Sequence, residues 1–95
     1  MLNKYRKKID KIDKRLIKLF EKRMDIAKKV GDYKYEHNME IFAADREKEV
    51  LKKRTAQIKN PEYKKYASDF FENIMGISKE LQSEIVDKHS SEKEK

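Results

Sequence analysis

Residues 2–35 read LNKYRKKIDKIDKRLIKLFEKRMDIAKKVGDYKY. Along this stretch Leu2, Tyr5, Ile9, Ile12, Leu16, Leu19, Arg23, Ile26, Val30 and Tyr33 recur in alternating steps of three and four. Phe20 and Ala27 widen the row. Steps of three and four track the turn of a helix, so these side chains share one face of it. The pattern predicts a single helix from about residue 2 to about residue 35, roughly 50 Å long at 1.5 Å per residue. No later segment is long enough to cover that rod, and a second copy of the chain is the natural cover.

Working outward, His37 to Ala44 breaks the periodicity and reads as a loop. Asp45 is expected to cap a second helix by accepting from its exposed first-turn N–H groups. Val50, Leu51 and Ile58 give that helix a modest apolar face, and it should end near Asn60. Asn60-Pro61 marks a boundary, because Pro61 fits a first helical position and Asn60 can cap it. A third helix is predicted from about Pro61 to about Val86, on a stripe of Tyr63, Tyr66, Phe70, Ile74, Ile77, Leu81 and Ile85. Ala67, Phe71 and Met75 flank this stripe. Residues 1–86 then form one domain. Residues 87–95 carry no apolar side chain and are expected to be a disordered tail.

Composition narrows the class. A chain of 95 residues has room for one core. With 45% charged and 37% hydrophobic residues, it can bury little apolar surface alone. Two Gly and one Pro are too few for a fold built on hairpins. The fold class expected is all-α, three helices per chain in an intertwined homodimer. The absence of Cys excludes disulfide and thiolate chemistry. His37 and His89 stand isolated, so no metal site is expected. No phosphate-binding loop or nucleophile elbow occurs, with Gly31 and Gly76 standing alone. No run approaches the roughly 18 apolar residues of a membrane span, and Met1 to Asp10 lack the apolar core of a signal peptide. The cytoplasm is the expected location. A net charge of +7 fits nucleic acid, a membrane surface or a small anion equally well.

Position discriminates better than charge. Arg23 sits where the stripe calls for an apolar residue, one heptad from Leu16 and from Val30. A guanidinium there is costly unless a carboxylate or a ligand pairs with it. It is either a structural ion pair or a register-setting polar residue, or part of an anion site. Arg6 and Lys34 share a flanking row, and each alone reads as a surface charge. Ser78 and Gln82, at i and i+4, project from one face of the third helix and either bond each other or the backbone, or hold a ligand. Glu47 suits the first turn of the second helix, whereas Arg46 gains nothing from that end of the dipole. The inventory of cations with Ser, Gln and Glu suits a small anion held without covalent chemistry.

These residues, in this order, resemble the all-helical chorismate mutase family. Arg6-Lys7-Lys8-Ile9-Asp10-Lys11-Ile12-Asp13 is similar to its opening Arg-x-x-Ile-Asp-x-Ile-Asp pattern. Leu16, Leu19, Arg23, Ala27, Val30, Gly31 and Lys34 follow at the family's spacing. Asp45-Arg46-Glu47 resembles the opening of its second helix, and Ser78 to Gln82 its Ser-x-x-x-Gln. The resemblance covers residues 2 to about 85. It implies a homodimer that needs no cofactor and converts chorismate to prephenate on the way to Phe and Tyr. It also implies roles: Arg23 and the other chain's Arg6 on the carboxylates, Arg46 and Ser78 assisting, Lys34 and Gln82 on the ether oxygen, Glu47 on the ring hydroxyl. One departure is Ala43, where many relatives carry an acid.

Geometry agrees with shared sites. Arg6 and Lys34 are 28 residues apart on one helix, about 42 Å, so one chain cannot bring both to a small ligand. Two antiparallel copies can, once at each end. The nearest rival is an isochorismate-pyruvate lyase of the same fold. A non-enzymatic dimer binding nucleic acid is a rival of another class. It accounts for the charge but not for Arg23 in the seam, so no nucleic-acid or membrane partner is expected. No dehydratase, dehydrogenase or synthase domain is expected, and regulation is expected to come from outside the chain.

Overall fold

In a computed structural model, which describes residues 1–94, the chain is three helices and one short turn. Helix α1 spans Leu2–Glu36, α2 spans Ala44–Ala56 and α3 spans Lys64–Glu94, with a 3-10 turn at Pro61–Tyr63. The all-α class and the long first helix are as the apolar spacing predicts.

Each boundary has a local cause. After α1, Asn38 takes a left-handed conformation with φ 54°. Its N–H donates to the Tyr35 carbonyl at 3.3 Å, and the Met39 N–H to the Lys34 carbonyl at 2.8 Å. This Schellman pair satisfies the last carbonyls of α1 and turns the chain sharply. At Asn60 the side-chain carbonyl accepts from the Glu62 N–H at 3.0 Å, and Pro61 opens the turn. The third helix proper begins only at Lys64.

Two expectations need correction. Asp45 does not cap α2. Ala43 is the N-cap, without a side-chain bond, and its carbonyl takes the Glu47 N–H at 3.0 Å. Asp45 and Glu47 lie inside the first turn, where their charges favour the helix dipole instead. The segment past Val86 is not a disordered tail through Glu94, because α3 continues across it. His89 anchors the extension: its Nε2 lies 2.7 Å from Asp32 Oδ1, and its ring stacks on Tyr35 with centroids 4.8 Å apart. Lys95 of that segment lies outside the described residues.

Helix α3 is central, packing against α1 on one side and α2 on the other, while α1 and α2 do not approach each other. Contacts climb both helices together, from Arg23 with Ser78 to Asp32 with His89, so α3 runs parallel to α1. Small residues set the spacing. Ala27 and Gly31 are buried, and a Cβ on Gly31 would lie 3.3 Å from the Gln82 Cα and from the Ile85 Cβ. Beyond this seam little is covered. Leu19 is 61% exposed and Ile26 60%, and Tyr5, Ile9, Ile12, Leu16 and Phe70 are also open. The molecule is a slab of 59 × 28 × 14 Å. Its radius of gyration is 17.0 Å, against about 12 Å for a compact chain of this length.

Candidate active site

Because α1 and α2 stand apart on α3, a cleft of about 260 Å³ opens between them with α3 as its floor. Helix α1 contributes Arg23 and Lys34, which are 11 residues and therefore three full turns apart on one face. Helix α2 contributes Arg46, Glu47, Val50 and Arg54, and α3 contributes Met75, Ser78, Lys79 and Gln82. Ile41 and Ala43 line it from the loop between α1 and α2.

The floor is polar where a core would be apolar. Ser78 is 7% exposed and Gln82 8%; among the described residues they are the buried polar side chains. Both are satisfied. The Arg23 guanidinium donates to Ser78 Oγ, and that hydroxyl donates to the Ile74 carbonyl at 3.0 Å. The Lys34 ammonium donates to Gln82 Oε1 at 3.0 Å and to the Ile41 carbonyl at 3.2 Å. Since Lys34 holds the oxygen of the Gln82 amide, the NH₂ end is left as a donor. Lys34 itself keeps a third proton beyond the two donated. Glu47 pairs with Lys79, Oε1 to Nζ 2.7 Å, and the ammonium lies 4.6 Å from the Phe42 ring centroid.

Electrostatics is lopsided. Five cationic side chains line the cleft against one carboxylate. Burial, and then the positive charge of Arg54, push the Arg23 guanidinium below the ordinary arginine value. An arginine stays protonated regardless. The shift therefore registers an uncompensated cation, which a bound anion would relieve.

Of the residues singled out from sequence, Arg23, Lys34, Arg46, Glu47, Ser78 and Gln82 meet in this cleft. Arg6 does not. It is exposed, near the opposite end of α1 from Lys34. Arg54 and Lys79 also line the cleft and were not anticipated. Arg54 follows Glu47 by seven residues, on the face that carries Val50, and that register is the signal that could have found it. Lys79 is one basic residue among many, and nothing in its spacing marks it.

Three helices with a buried polar floor and an excess of cations define a helical protein whose cleft favours negative charge. The chain belongs to the chorismate mutase type II family, whose model matches residues 5–83. That match encloses every residue from Arg6 to Gln82. Over 53 residues the chain is 40% identical to the T-protein of Haemophilus influenzae, covering 56% of this chain and 14% of that protein. Over 52 residues it is 36% identical to the bifunctional chorismate mutase/prephenate dehydratase of Aquifex aeolicus, covering 55% of this chain and 14% of that protein. The chain thus spans a small part of the curated relatives it matches. No solved structure matches it.

Proposed function

We propose that the chain is a chorismate mutase acting as a homodimer, with two composite, cofactor-free sites. The observation that carries this reading is the bond from Lys34 to Gln82 Oε1 inside a cation-rich cleft, which leaves the Gln82 NH₂ and further Lys34 protons as donors beside it. A Claisen rearrangement needs no nucleophile. It needs the substrate held in its reactive diaxial shape and negative charge stabilised on the ether oxygen as the C–O bond breaks. Arg23, propped by Ser78, takes one carboxylate. Arg6 of the partner subunit takes the other, with Arg46 assisting. Fixing both ends supplies orientation. Lys34 and the Gln82 NH₂ face the ether oxygen, where a lost donor typically costs about 3 kcal/mol. Because that oxygen gains charge only in the transition state, these two donors govern kcat, while the carboxylate contacts govern KM. Glu47 accepts from the ring hydroxyl.

The exposed stripe of α1 supports the dimer. Leu19, Ile26 and their neighbours form a long apolar face on a slab 14 Å thick, little more than one helix across. Such a face marks an interface. Adding purified protein to chorismate should remove the absorbance of the diene. Ala43, which leaves Glu47 as the one acid lining the cleft, favours a second reading, that of an isochorismate-pyruvate lyase. Turnover of isochorismate without turnover of chorismate would establish the lyase and overturn the mutase.

A further inference from the structure

A cleft that must present guanidinium groups to a dianion has a problem when it also contains a carboxylate. Glu47 lines the same cleft as Arg23, Arg46 and Arg54. An ion pair with any of them would occupy the group meant for substrate, and planar guanidinium is the better bidentate partner for a carboxylate. Glu47 nevertheless makes its ion pair with Lys79, and among the described residues it has no salt bridge to an arginine. The pair is partly sheltered, with the Lys79 side chain 30% and the Glu47 side chain 25% exposed. The Phe42 ring also lies against the ammonium. Arg23 bonds only the neutral Ser78 hydroxyl, and no carboxylate offsets the burial and the Arg54 charge that lower its pKa.

We infer that Lys79 is a positioning residue that sequesters Glu47, keeping the cleft's arginines unpaired until a dicarboxylate arrives. The inference rests on the mutase reading for the identity of that dicarboxylate. Lys79 projects from α3 next to Ser78 and so pins the α2 carboxylate to the floor of the cleft. Without it, Glu47 is drawn to the nearest guanidinium and competes with substrate for the same donors.

A merely electrostatic Lys79 would also weaken dianion binding when removed, so the test is a reversal of sign. Lys79→Met should raise both KM and the Kd for chorismate about tenfold, and Lys79→Arg, which keeps the pair, should stay near the parent. Glu47→Gln alone should raise KM, through the lost hydroxyl contact. In the Lys79→Met background the same Glu47→Gln change should lower KM, because it releases the arginines. Lys79→Gln serves in place of Lys79→Met should that variant fold poorly, with folding checked by circular dichroism. If Glu47→Gln shifts KM and Kd by the same factor in both backgrounds, the inference is overturned. A parent that binds chorismate without converting it sinks the mutase reading, while the Kd values still decide this one. A parent that neither binds nor converts it sinks both.

Discussion

At the scale of single residues, the hydrogen-bond direction at Gln82 yields a pH test. Its Oε1 accepts from Lys34, so the catalytic donor we propose for it is its NH₂. In a Gln82→Glu variant only the protonated acid can donate, and the adjacent Lys34 ammonium favours the carboxylate. Activity should therefore appear at acidic pH and fall as pH rises, while the parent stays flat there. A pH–rate profile of the variant as flat as that of the parent would remove the donor role. Arg23 offers a stability test with the opposite sign from most site deletions. Burial and Arg54 lower its pKa, so the folded state carries its charge at a cost. Between about pH 5 and 10 the group is protonated folded and unfolded alike, and that cost is constant. Arg23→Met should raise the melting temperature and raise KM steeply. A lower melting temperature would mean that the bond to Ser78 outweighs the charge cost. Arg23 was legible because it breaks an apolar pattern, and Ser78 with Gln82 because their spacing puts them on one helix face. Lys79 was not, since only the fold brings Glu47 to it.

At the scale of elements, the contact between α1 and α3 depends on Gly31. An added Cβ at 3.3 Å from the Gln82 backbone forces the helices apart by a few tenths of an ångström. Alanine is the better helix former by about 1 kcal/mol, which offsets part of that strain. Gly31→Ala should therefore change the melting temperature little while lowering kcat severalfold, because Lys34 and Gln82 separate. Equal kcat in variant and parent would show that the seam tolerates the shift. The helices themselves were readable from periodicity, and Asn60-Pro61 from its chemistry. The tail was not. Nothing apolar past Val86 announces a helix, and its anchor is a pairing of His89 with Asp32, 57 residues earlier. Likewise Asp45 looked like a cap by residue type, but the helix had closed onto the Ala43 carbonyl before reaching it.

At the scale of the whole molecule, the distance between Arg6 and Lys34 turns into a complementation experiment. Arg6→Ala and Lys34→Ala chains should each be nearly inactive. Mixed and allowed to exchange subunits, they rebuild one intact site in each heterodimer and should recover a substantial part of the activity. Proven exchange without recovery would show that the sites are not shared. The same unbroken helix has a further effect. Leu2–Glu36 is one continuous helix, so no loop along it can absorb a change in length. Inserting one residue between Arg23 and Lys34 would rotate everything beyond it by about 100°. Lys34 would leave the cleft, and the far end of the apolar row would turn away from any partner. Seven inserted residues would nearly restore the facing direction but move Lys34 about 10 Å along the axis. In the short segment from Met39 to Phe42 an extra residue alters neither phase nor reach of α1. An indel at the bend should thus leave the rod intact and disturb only the Ile41 and Phe42 contacts to Lys34 and Lys79, whereas one along the rod should disrupt the whole molecule.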